Sequence, residues 1–430
     1  MNPKKLARKV LPAKGILLAE EGYRKGRIYS LQARYGFPAK GLRIIAVTGT
    51  NGKTTTCSFI NEMLKSAGKK TAMYSTATIE LGGKSKPNKT HLTLPPTEQL
   101  MRFFKEAKKS KAEFVVLEAT SQALHQHKLF GIPIEIAVFT NLTQDHLDYH
   151  RTMANYAAAK ARLFNSYMRP SFCVLNADDE RYDYFNLQSV GQVVSYGQSA
   201  DSTERIIRVR SGKDGMSWRL LNGDHPLDLH IQLSGLFNVY NASAAAAVGM
   251  LLGIKQTKIA EGLANVKLVP GRMENIDAGQ PFTVWVDYAV TPDALAKVIE
   301  AGKQLATGEV SIVFGATGDR DKTKRPIMGA IAAKNADRIY LTDDETYRED
   351  PETIRNAVLE GIRLANGEAK TKVISDRKQA IKKAFAEAKK GDVVILAGIG
   401  HQDSRNMGGK NIPWDEREVA KKVLKDASQK

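Results

Sequence analysis

The sequence predicts an α/β fold made of two consecutive doubly wound units, each with a mostly parallel sheet. Short β-rich apolar runs alternate with helical stretches from residue 42 onward, and the alternation starts again after a break at Pro270 and Gly271. The chain has 430 residues, which is more than one hydrophobic core normally serves. We therefore expect a basic segment over 1–43, a central domain over 44–268 and a Rossmann-like domain over 269–430.

Each domain is defined by the order of its predicted elements. In the central domain we expect strands at 44–47, 71–74, 114–117, 134–139, 172–175 and 193–196, and helices at 54–67, 96–108 and 153–165. The alanine-rich stretch 238–253 is expected to form a buried helix. In the C-terminal domain we expect strands at 283–287, 310–314, 338–342, 372–374 and 393–397, with helices at 292–305, 324–334, 351–365 and 378–389.

The composition restricts the partners and the compartment. The formal net charge is +18, and half of the surplus lies in residues 1–43, but no pattern typical of a nucleic-acid-binding domain accompanies it. We expect a small anionic ligand, or weak contact of the basic N-terminus with an anionic membrane, and no nucleic acid. Two cysteines and no long apolar run predict a cytoplasmic protein, which we expect to be a monomer.

A phosphate-binding loop is predicted in VTGTNGKTTT at 47–56. A strand that enters a glycine turn and then a helix leaves backbone N–H groups unpaired, and with Lys53 these donors form a socket for phosphate. The general pattern is only partly matched, because Val47 stands where its first glycine belongs. The candidate nucleotide residues are Gly49, Thr50, Asn51, Gly52, Lys53, Thr54 and Thr55.

Acidic and imidazole side chains collect at the carboxyl ends of two further predicted strands. Glu118 follows the strand at 114–117, and Asp145 and His146 follow the strand at 134–139. Ligands of open parallel sheets bind beyond these ends. Magnesium bound to a nucleotide requires hard oxygen ligands near the phosphates. We therefore expect a magnesium–nucleotide site at these strand ends.

Seven longer segments resemble the Mur ligase family, in the order in which the family has them. They are GTNGKTTT, TNLTQDHLDYHRTMANYAAAKARLF, LSGLFNVYNASAAAAVG, PGRMENI, VDYAVTPDAL, FGATGDRDKTKRPIMGAIA and AGIGHQD. The branch that makes UDP-N-acetylmuramoyl-tripeptide is the most similar. The resemblance implies a central P-loop ATPase domain and an ATP-dependent, ADP-forming amide ligase of peptidoglycan precursor synthesis. In such enzymes ATP phosphorylates a carboxylate, and the amine of an amino acid then attacks the acyl phosphate.

The resemblance also implies roles for individual residues. Lys53 would hold phosphates, Thr54 and Glu118 one magnesium ion, and His146 a second ion. Lys160 corresponds to a family lysine that CO2 converts to a carbamate, so that a cation becomes a carboxylate-like ligand. Catalysis is thereby assigned to Lys53, Glu118, His146 and Lys160, and further ATP contacts to Asn241, Arg272 and Asp287. Contacts with the nucleotide-sugar peptide or the amino acid are assigned to Thr93, Thr97, Thr120, Lys128, Arg320, Asp344, Glu345, Gly398 and Gln402.

The sequence departs from the family pattern at four places. The 43 residues before the phosphate-loop strand are too few for the usual domain that binds uridine diphosphate, and Val290 replaces a histidine. Asp344-Glu345-Thr346-Tyr347 aligns with Asp-Asn-Pro-Arg of the branch that adds diaminopimelate, with Arg348 one place late, and Gln402 replaces a glutamate. Because a cation suited to a distal carboxylate is lost, we expect lysine or ornithine, bound partly by Glu345, rather than diaminopimelate.

Two other functions stay open at this point. The chain could be a ligase of the same fold that acts on another acid, such as a folate or a poly-amino acid. It could also be an ATP-binding partner protein without ligase activity, which Val290 favours and the retained Lys160 and Glu118 argue against. In each case the nucleotide residues come from both sides of a joint near 269–273, so we expect a structure without ligands to hold Arg272 and Asp287 far from the phosphate loop.

Overall fold

The computed structural model of the protein describes residues 13–90, 92–212, 214–223 and 225–428, so the first twelve residues of the predicted basic segment lie outside the description. A large sheet holds eleven strands: β1 (Arg43–Thr48), β2 (Thr71–Tyr74), β3 (Thr78–Leu81), β4 (Lys84–Pro87), β5 (Phe114–Glu118), β6 (Ile134–Phe139), β7 (Phe172–Asn176), β8 (Gln192–Gly197), β9 (Glu204–Gly212), β10 (Gly215–Asn222) and β11 (His225–Ile231). A second sheet and a hairpin hold β12 (Glu274–Asn275), β13 (Thr283–Asp287), β14 (Val310–Phe314), β15 (Arg338–Leu341), β16 (Thr371–Val373), β17 (Val393–Ala397), β18 (Ser404–Met407) and β19 (Lys410–Pro413).

The helices alternate with these strands. Those of the N-terminal segment and central domain are α1 (Ala13–Arg34), α2 (Lys53–Ser66), α3 (Thr97–Lys109), α4 (Ser121–His125), α5 (Leu147–His150), α6 (Met153–Ala161), α7 (Tyr182–Gln188), α8 (Leu236–Leu251) and α9 (Gln256–Ala264). Those of the C-terminal domain are α10 (Pro292–Leu305), α11 (Lys324–Asn335), α12 (Pro351–Leu364), α13 (Arg377–Glu387) and α14 (Glu416–Ser428). Within the described ranges, none of them combines the length and apolar character needed to cross a membrane.

The predicted strands are confirmed to within a residue or two, and the large sheet follows the order β11-β10-β9-β8-β7-β6-β1-β5-β2-β3-β4. Its centre, from β8 to β2, is parallel, whereas β9–β11 and β2–β4 form antiparallel extensions that the sequence did not predict. The helix predicted at 153–165 is too long, because α6 already ends at Ala161 and a turn follows.

The site lies where the order of the large sheet reverses. From β1 the chain first builds β2 and β5 on one side and later places β6 on the other. In open α/β sheets such a switch point leaves a crevice outside the carboxyl end of the first strand. The phosphate loop follows β1 and therefore lies at this crevice.

Close packing of three helices positions the phosphate loop. Residues 242 and 244–247 of α8 are buried alanines, and α8 packs against α2 and α9. A Cβ at Gly249 of α8 would lie 2.9 Å from Ile259 Cγ1 and 3.0 Å from Met63 Sδ. A Cβ at Gly262 of α9 would lie 2.4 Å from Met63 Cα. Small residues thus let both helices approach α2, which carries the phosphate loop at its N-terminus.

A buried ion pair links two helices of the C-terminal domain. Arg377, at the start of α13, and Glu416, at the start of α14, are both fully buried, and Arg377 Nη2 lies 2.7 Å from Glu416 Oε1. The same guanidinium donates to the carbonyl of Ala397, and Trp414 Nε1 donates to Glu416 at 2.6 Å. The pair therefore joins both helices to the end of β17.

Removing one partner of this pair tests its role. We expect Arg377→Met to destabilise the C-terminal domain by about 3–5 kcal/mol, because the Glu416 carboxylate would stay buried without its cation. The control is Arg363→Met, which breaks the exposed pair of Arg363 with Glu368 and should cost less than about 1 kcal/mol. Urea unfolding of both variants measures the difference, and equal losses would contradict the assignment.

Candidate active site

The loop between β1 and α2 has the backbone of a phosphate-binding loop. Gly52 directly precedes α2 with a φ of 84°, a left-handed conformation that glycine adopts without strain. A Cβ at Gly52 would lie 2.3 Å from Oδ1 of Asn241 on α8. The ammonium of Lys53 donates to the carbonyls of Gly49 at 3.0 Å and Thr50 at 2.8 Å. It therefore lies over the loop, beside the positive N-terminus of α2.

The loop after β6 fixes this loop in place. The N–H of Asn51 donates to Oδ1 of Asn141 at 2.9 Å, and Thr140 Oγ1 donates to the carbonyl of Asn51 at 2.6 Å. The N–H of Thr50 donates to the carbonyl of Asn141 at 2.9 Å. Because β1 and β6 are adjacent parallel strands, their ends meet at this edge of the sheet.

A cavity of about 520 Å³ opens in front of the loop, and both domains line it. Ligand sites commonly have volumes of about 300–1,000 Å³, so a nucleotide fits. The structure brings thirteen of the predicted residues onto the cavity wall: Thr50, Asn51, Gly52, Lys53, Thr54, Thr55, Thr93, Glu118, Thr120, His146, Asn241, Arg272 and Asp287. Thr97, the first residue of α3, and Lys128, after α4, lie away from the wall.

Glu118, the last residue of β5, is fully buried at the wall. Its carboxylate accepts the backbone N–H of Thr76 at 2.6 Å and the hydroxyl of Thr76 at 2.9 Å. The Thr76 hydroxyl also lies 2.9 Å from Thr93 Oγ1. These contacts hold the carboxylate in one orientation beside the phosphate loop.

His146 is oriented by a carboxylate that also joins the two domains. Its Nε2 lies 3.3 Å from Asp145, and Asp145 lies 3.2 Å from the ammonium of Lys324 on α11. Burial opposes ionisation of Asp145, yet Lys324 and His146 together hold its pKa below the usual value. Burial also lowers the pKa of His146, which favours the neutral imidazole that can bind a metal ion.

Lys160 lies behind the loop rather than on the cavity wall. Its side chain is 1% exposed, its ammonium donates to the carbonyl of Gly49 at 2.6 Å, and it lies 4.6 Å from the centre of the Tyr156 ring. Burial, and then the nearby charge of Lys53, lower the pKa of Lys160 well below its usual value. The helix-surface position that an ordinary lysine would take is thus excluded.

The two domains approach each other across the cavity, so Arg272 and Asp287 lie beside the phosphate loop and not, as expected from the sequence, far from it. Arg272 Nη2 donates to Thr54 Oγ1 at 3.3 Å, and its guanidinium lies 4.7 Å from the centre of the Tyr288 ring. Asp287 accepts the N–H of Met273 at 2.7 Å, and burial raises the pKa of Asp287 to about 6. Direct hydrogen bonds between side chains hold the two domains together. Arg272 bonds Thr54, and Lys324 bonds Asp145.

The predicted amino-acid residues form a second group beside the cavity. Arg320 lies 4.8 Å from the centre of the Tyr347 ring, and the Glu345 carboxylate accepts the N–H of Asn406 at 3.1 Å. Gln402 Nε2 lies 3.5 Å from the hydroxyl of Tyr288, which is on the cavity wall. Gly398 is required next to Asp344: its φ is 115°, and a Cβ there would lie 2.0 Å from Asp344 Oδ2.

Sequence reasoning missed several residues of the site, of which four illustrate the reason. They are Thr76, which binds Glu118; Tyr288, under Arg272; Asp293, which accepts Asn51 Nδ2 at 2.8 Å; and Lys324, which binds Asp145. Thr76 lies two residues after β2, so its strand-end position was a usable signal. The other three lie within segments already matched to the family, but the sequence gives no sign of their partners.

Comparisons with known proteins agree with this geometry. The Mur ligase middle domain matches residues 47–249, and the Mur ligase glutamate ligase domain matches residues 271–400. The chain belongs to the Mur ligase family. It is therefore an ATP-dependent ligase that forms ADP, and ATP and Mg²⁺ are the cofactors expected of such a Mur ligase.

Several relatives are named as the same ligase. The UDP-N-acetylmuramoyl-L-alanyl-D-glutamate–2,6-diaminopimelate ligase of Geobacillus kaustophilus (strain HTA426) is 42% identical over 92% of this chain and 81% of its own length. That of Solibacter usitatus (strain Ellin6076) is 40% identical over 91% of this chain and 79% of its own length. A solved structure of a ligase with this name is 34% identical, with a TM-score of 0.62, over 91% of this chain and 80% of that one. The structure of Mycobacterium tuberculosis folylpolyglutamate synthase matches with a TM-score of 0.70 over 87% of this chain and 92% of that one. Because the sequence identity is only 19%, this match shows the shared fold alone.

The donors at the cavity fit a magnesium–nucleotide complex. Mg²⁺ usually keeps several waters and is bound through one or two carboxylates together with substrate phosphates. Glu118 supplies a buried carboxylate and Thr54 a hydroxyl on the same wall, and His146 offers a neutral ring nitrogen. Among the described residues, no three His, Cys, Asp or Glu side chains form a metal cluster, and this pattern does not require one.

A substitution at Gly52 tests the loop. We expect Gly52→Ala to weaken ATP binding by at least about tenfold, because its Cβ would displace the buried Asn241 side chain or the loop itself. Gly68→Ala is the control, since Gly68 has a φ of 75° but nothing within 4 Å of an added Cβ, so it carries backbone strain without a collision. Fluorescence titration with ATP measures both, and an equal loss in the control would show that strain alone is responsible.

Proposed function

We propose that this Mur ligase joins a diamino acid, lysine or ornithine by preference, to the free carboxylate of a UDP-N-acetylmuramoyl-dipeptide. The relatives named for UDP-N-acetylmuramoyl-L-alanyl-D-glutamate and 2,6-diaminopimelate support the acceptor and the class of amino acid. The observation that carries the proposal is the placement of Arg320 and Glu345 at Tyr347, beside the cavity. A cation there suits the α-carboxylate of the incoming amino acid, and an anion suits its side-chain amine.

Tyr347 is the reason to expect lysine or ornithine as the preferred amino acid. A guanidinium at this position could bind a distal carboxylate through two parallel hydrogen bonds, which a phenol cannot do. Arg320 Nη2 lies 3.4 Å from the Tyr347 hydroxyl, and this guanidinium is the one proposed to bind the α-carboxylate. Glu345 would repel a second carboxylate and attract a second amine.

The chemistry proposed for the cavity is phosphoryl transfer followed by amide formation. Transfer of the γ-phosphoryl group depends mostly on alignment and charge neutralisation, which Lys53, Arg272 and the N–H groups of residues 51–54 supply. Thr54 and Glu118 would hold one Mg²⁺ ion and His146 a second, and these ions would neutralise the phosphate charge. The neutral amine of the amino acid then attacks the acyl carbon, the new C–N bond forms, the nitrogen loses a proton to water, and inorganic phosphate leaves with the electron pair of the broken C–O bond.

Lys160 is proposed to carry a carbamate in the working enzyme. A buried amine with a lowered pKa is partly neutral, and its lone pair can attack CO2, forming an N–C bond and releasing a proton. The ammonium now donates to the Gly49 carbonyl at 2.6 Å, whereas the product keeps one N–H and carries a negative carboxylate group, whose oxygens that carbonyl would repel. The side chain could then turn from Gly49 towards the cations of the cavity.

A panel of amino acids tests the proposed function. With UDP-N-acetylmuramoyl-L-alanyl-D-glutamate and ATP, we expect lysine or ornithine to give the fastest amino-acid-dependent release of ADP. Tyr347→Arg should shift the ratio of turnover towards diaminopimelate by about tenfold, because it supplies the missing guanidinium. Fastest turnover of the wild type with diaminopimelate would refute the proposed amino acid. ADP release with a folate acceptor alone would support the other ligase function instead.

A second experiment concerns Lys160. Depletion of CO2 should lower the ligase rate and added bicarbonate should restore it, whereas Lys160→Met should be inactive in both buffers yet still bind ATP. A carbamate signal in the ¹³C NMR spectrum after addition of ¹³CO2 should be present in the wild type and absent from Lys160→Met. Lys334→Met, at an exposed position on α11, serves as the control. A rate independent of CO2, with no carbamate signal, would contradict the proposal.

A further inference from the structure

A basic and aromatic surface lies beyond one end of the cavity, and the proposed chemistry does not use it. We call it the basic rim; its members are Arg24 and Lys25 on α1, His125 at the end of α4, Tyr149 on α5 and Arg162 after α6. His125 Nδ1 lies 2.9 Å from the Tyr149 hydroxyl, and both side chains are exposed. Lys25 and Arg162 approach the same ring, that of Tyr167, at 5.2 and 5.9 Å.

Helix α1 is docked so that its cations reach this surface. Gln32 Nε2 donates to the carbonyl of Phe130 at 2.6 Å, and Lys25 lies 5.6 Å from the centre of the Phe130 ring. Glu21, one turn before Lys25, accepts from Lys25 at 2.9 Å and lies 3.6 Å from His127. The helix therefore contributes to a surface of the central domain.

Two short helices connect the rim to the cavity. α4 begins directly after Thr120 and α5 directly after His146, and both of these residues are on the cavity wall. The end of α5 meets the start of α4, since His150 Nε2 lies 2.9 Å from Ser121 Oγ, and the ring centres of His125 and His150 are 6.0 Å apart. Five residues of helix span about 7 Å, so the rim lies roughly that far beyond the wall.

The rim has an excess of positive charge despite two acidic neighbours. Glu21 is paired with Lys25, and Arg24 lies 3.8 Å from Glu20 with 41% of its side chain exposed. Arg162 Nη1 donates to the carbonyls of Leu124 at 3.4 Å and His125 at 3.1 Å, which offsets the negative C-terminal end of α4. A dianion arriving at the rim would thus meet two guanidiniums, an imidazole and a phenol.

We propose that the basic rim binds the diphosphate of the nucleotide-sugar acceptor. This inference rests on the proposed function, which places the acceptor carboxylate near Glu118 and the phosphate loop. From there a dipeptide spans about 7 Å, and the sugar that follows brings the diphosphate beyond the wall, where α4 and α5 end. Guanidinium groups bind phosphate oxygens through charge-assisted, often paired hydrogen bonds, so Arg24 and Arg162 are the expected contacts.

The test compares two acceptors that differ only in the nucleotide. One is UDP-N-acetylmuramoyl-L-alanyl-D-glutamate and the other is N-acetylmuramoyl-L-alanyl-D-glutamate without the nucleotide. Arg24→Glu should raise KM for the first acceptor by about tenfold, leave its kcat unchanged, and leave both constants for the second acceptor unchanged. Arg24→Lys should restore most of the affinity. Arg205→Glu, an exposed position on β9, is the matched control and should change nothing.

Direct binding keeps this inference separable from the proposed function. Calorimetric titration with UDP alone should show binding to the wild type and at least about tenfold weaker binding to Arg24→Glu. If neither acceptor supports ADP release but UDP binding depends on Arg24, the proposed function is refuted, whereas diphosphate binding at the basic rim is supported. If Arg24→Glu affects both acceptors equally, or only abolishes binding to vesicles of anionic phospholipid, the rim is not a diphosphate site.

Discussion

The rest of the site depends on the conformation of the glycine turn at residues 49–53. Three different elements hold it: Asn141 after β6 bonds the N–H of Asn51, Asn241 of α8 fills the space behind Gly52, and Lys160 bonds the carbonyl of Gly49. None of these contacts is local in sequence. The alanine-rich α8 places Asn241 beside the loop. It can do so because its small residues let it pack closely against α2.

Closure of the two domains combines polar contacts at the edge of the cavity with the packing of Phe237 of α8 against the C-terminal core. Arg272 bonds Thr54, Asp293 accepts from Asn51, Lys324 bonds Asp145, and His401 Nε2 lies 3.1 Å from the carbonyl of Thr76. Polar contacts of this kind can be exchanged for contacts with phosphate or water at little net cost. Ligand entry can therefore replace the bond of Arg272 with Thr54 without disturbing either core.

Much of the fold follows from local patterns. Strands such as β1 and β5 are continuous buried apolar runs, which is typical of parallel sheets covered on both faces, and the phosphate loop follows from the residues after β1. The antiparallel strands β9–β11 alternate buried and exposed residues, with arginines at exposed positions of β9; the alternation is present in the sequence, but the prediction did not include these strands. Among the site residues, Glu118 was predictable from its strand end, whereas its partner Thr76 is 42 positions away in the chain.

The sequence by itself determined the two α/β units, the glycine turn and the supply of carboxylates and cations at the strand ends, since these depend on neighbours along the chain. Tertiary structure alone decided which of them meet. It buried Lys160 beneath Gly49, brought Lys324 of one domain to Asp145 of the other, and placed α1 against the segment that follows α4. The physical reason is that a side chain's charge state and partners depend on the distance and burial created by packing, which the order of residues does not record.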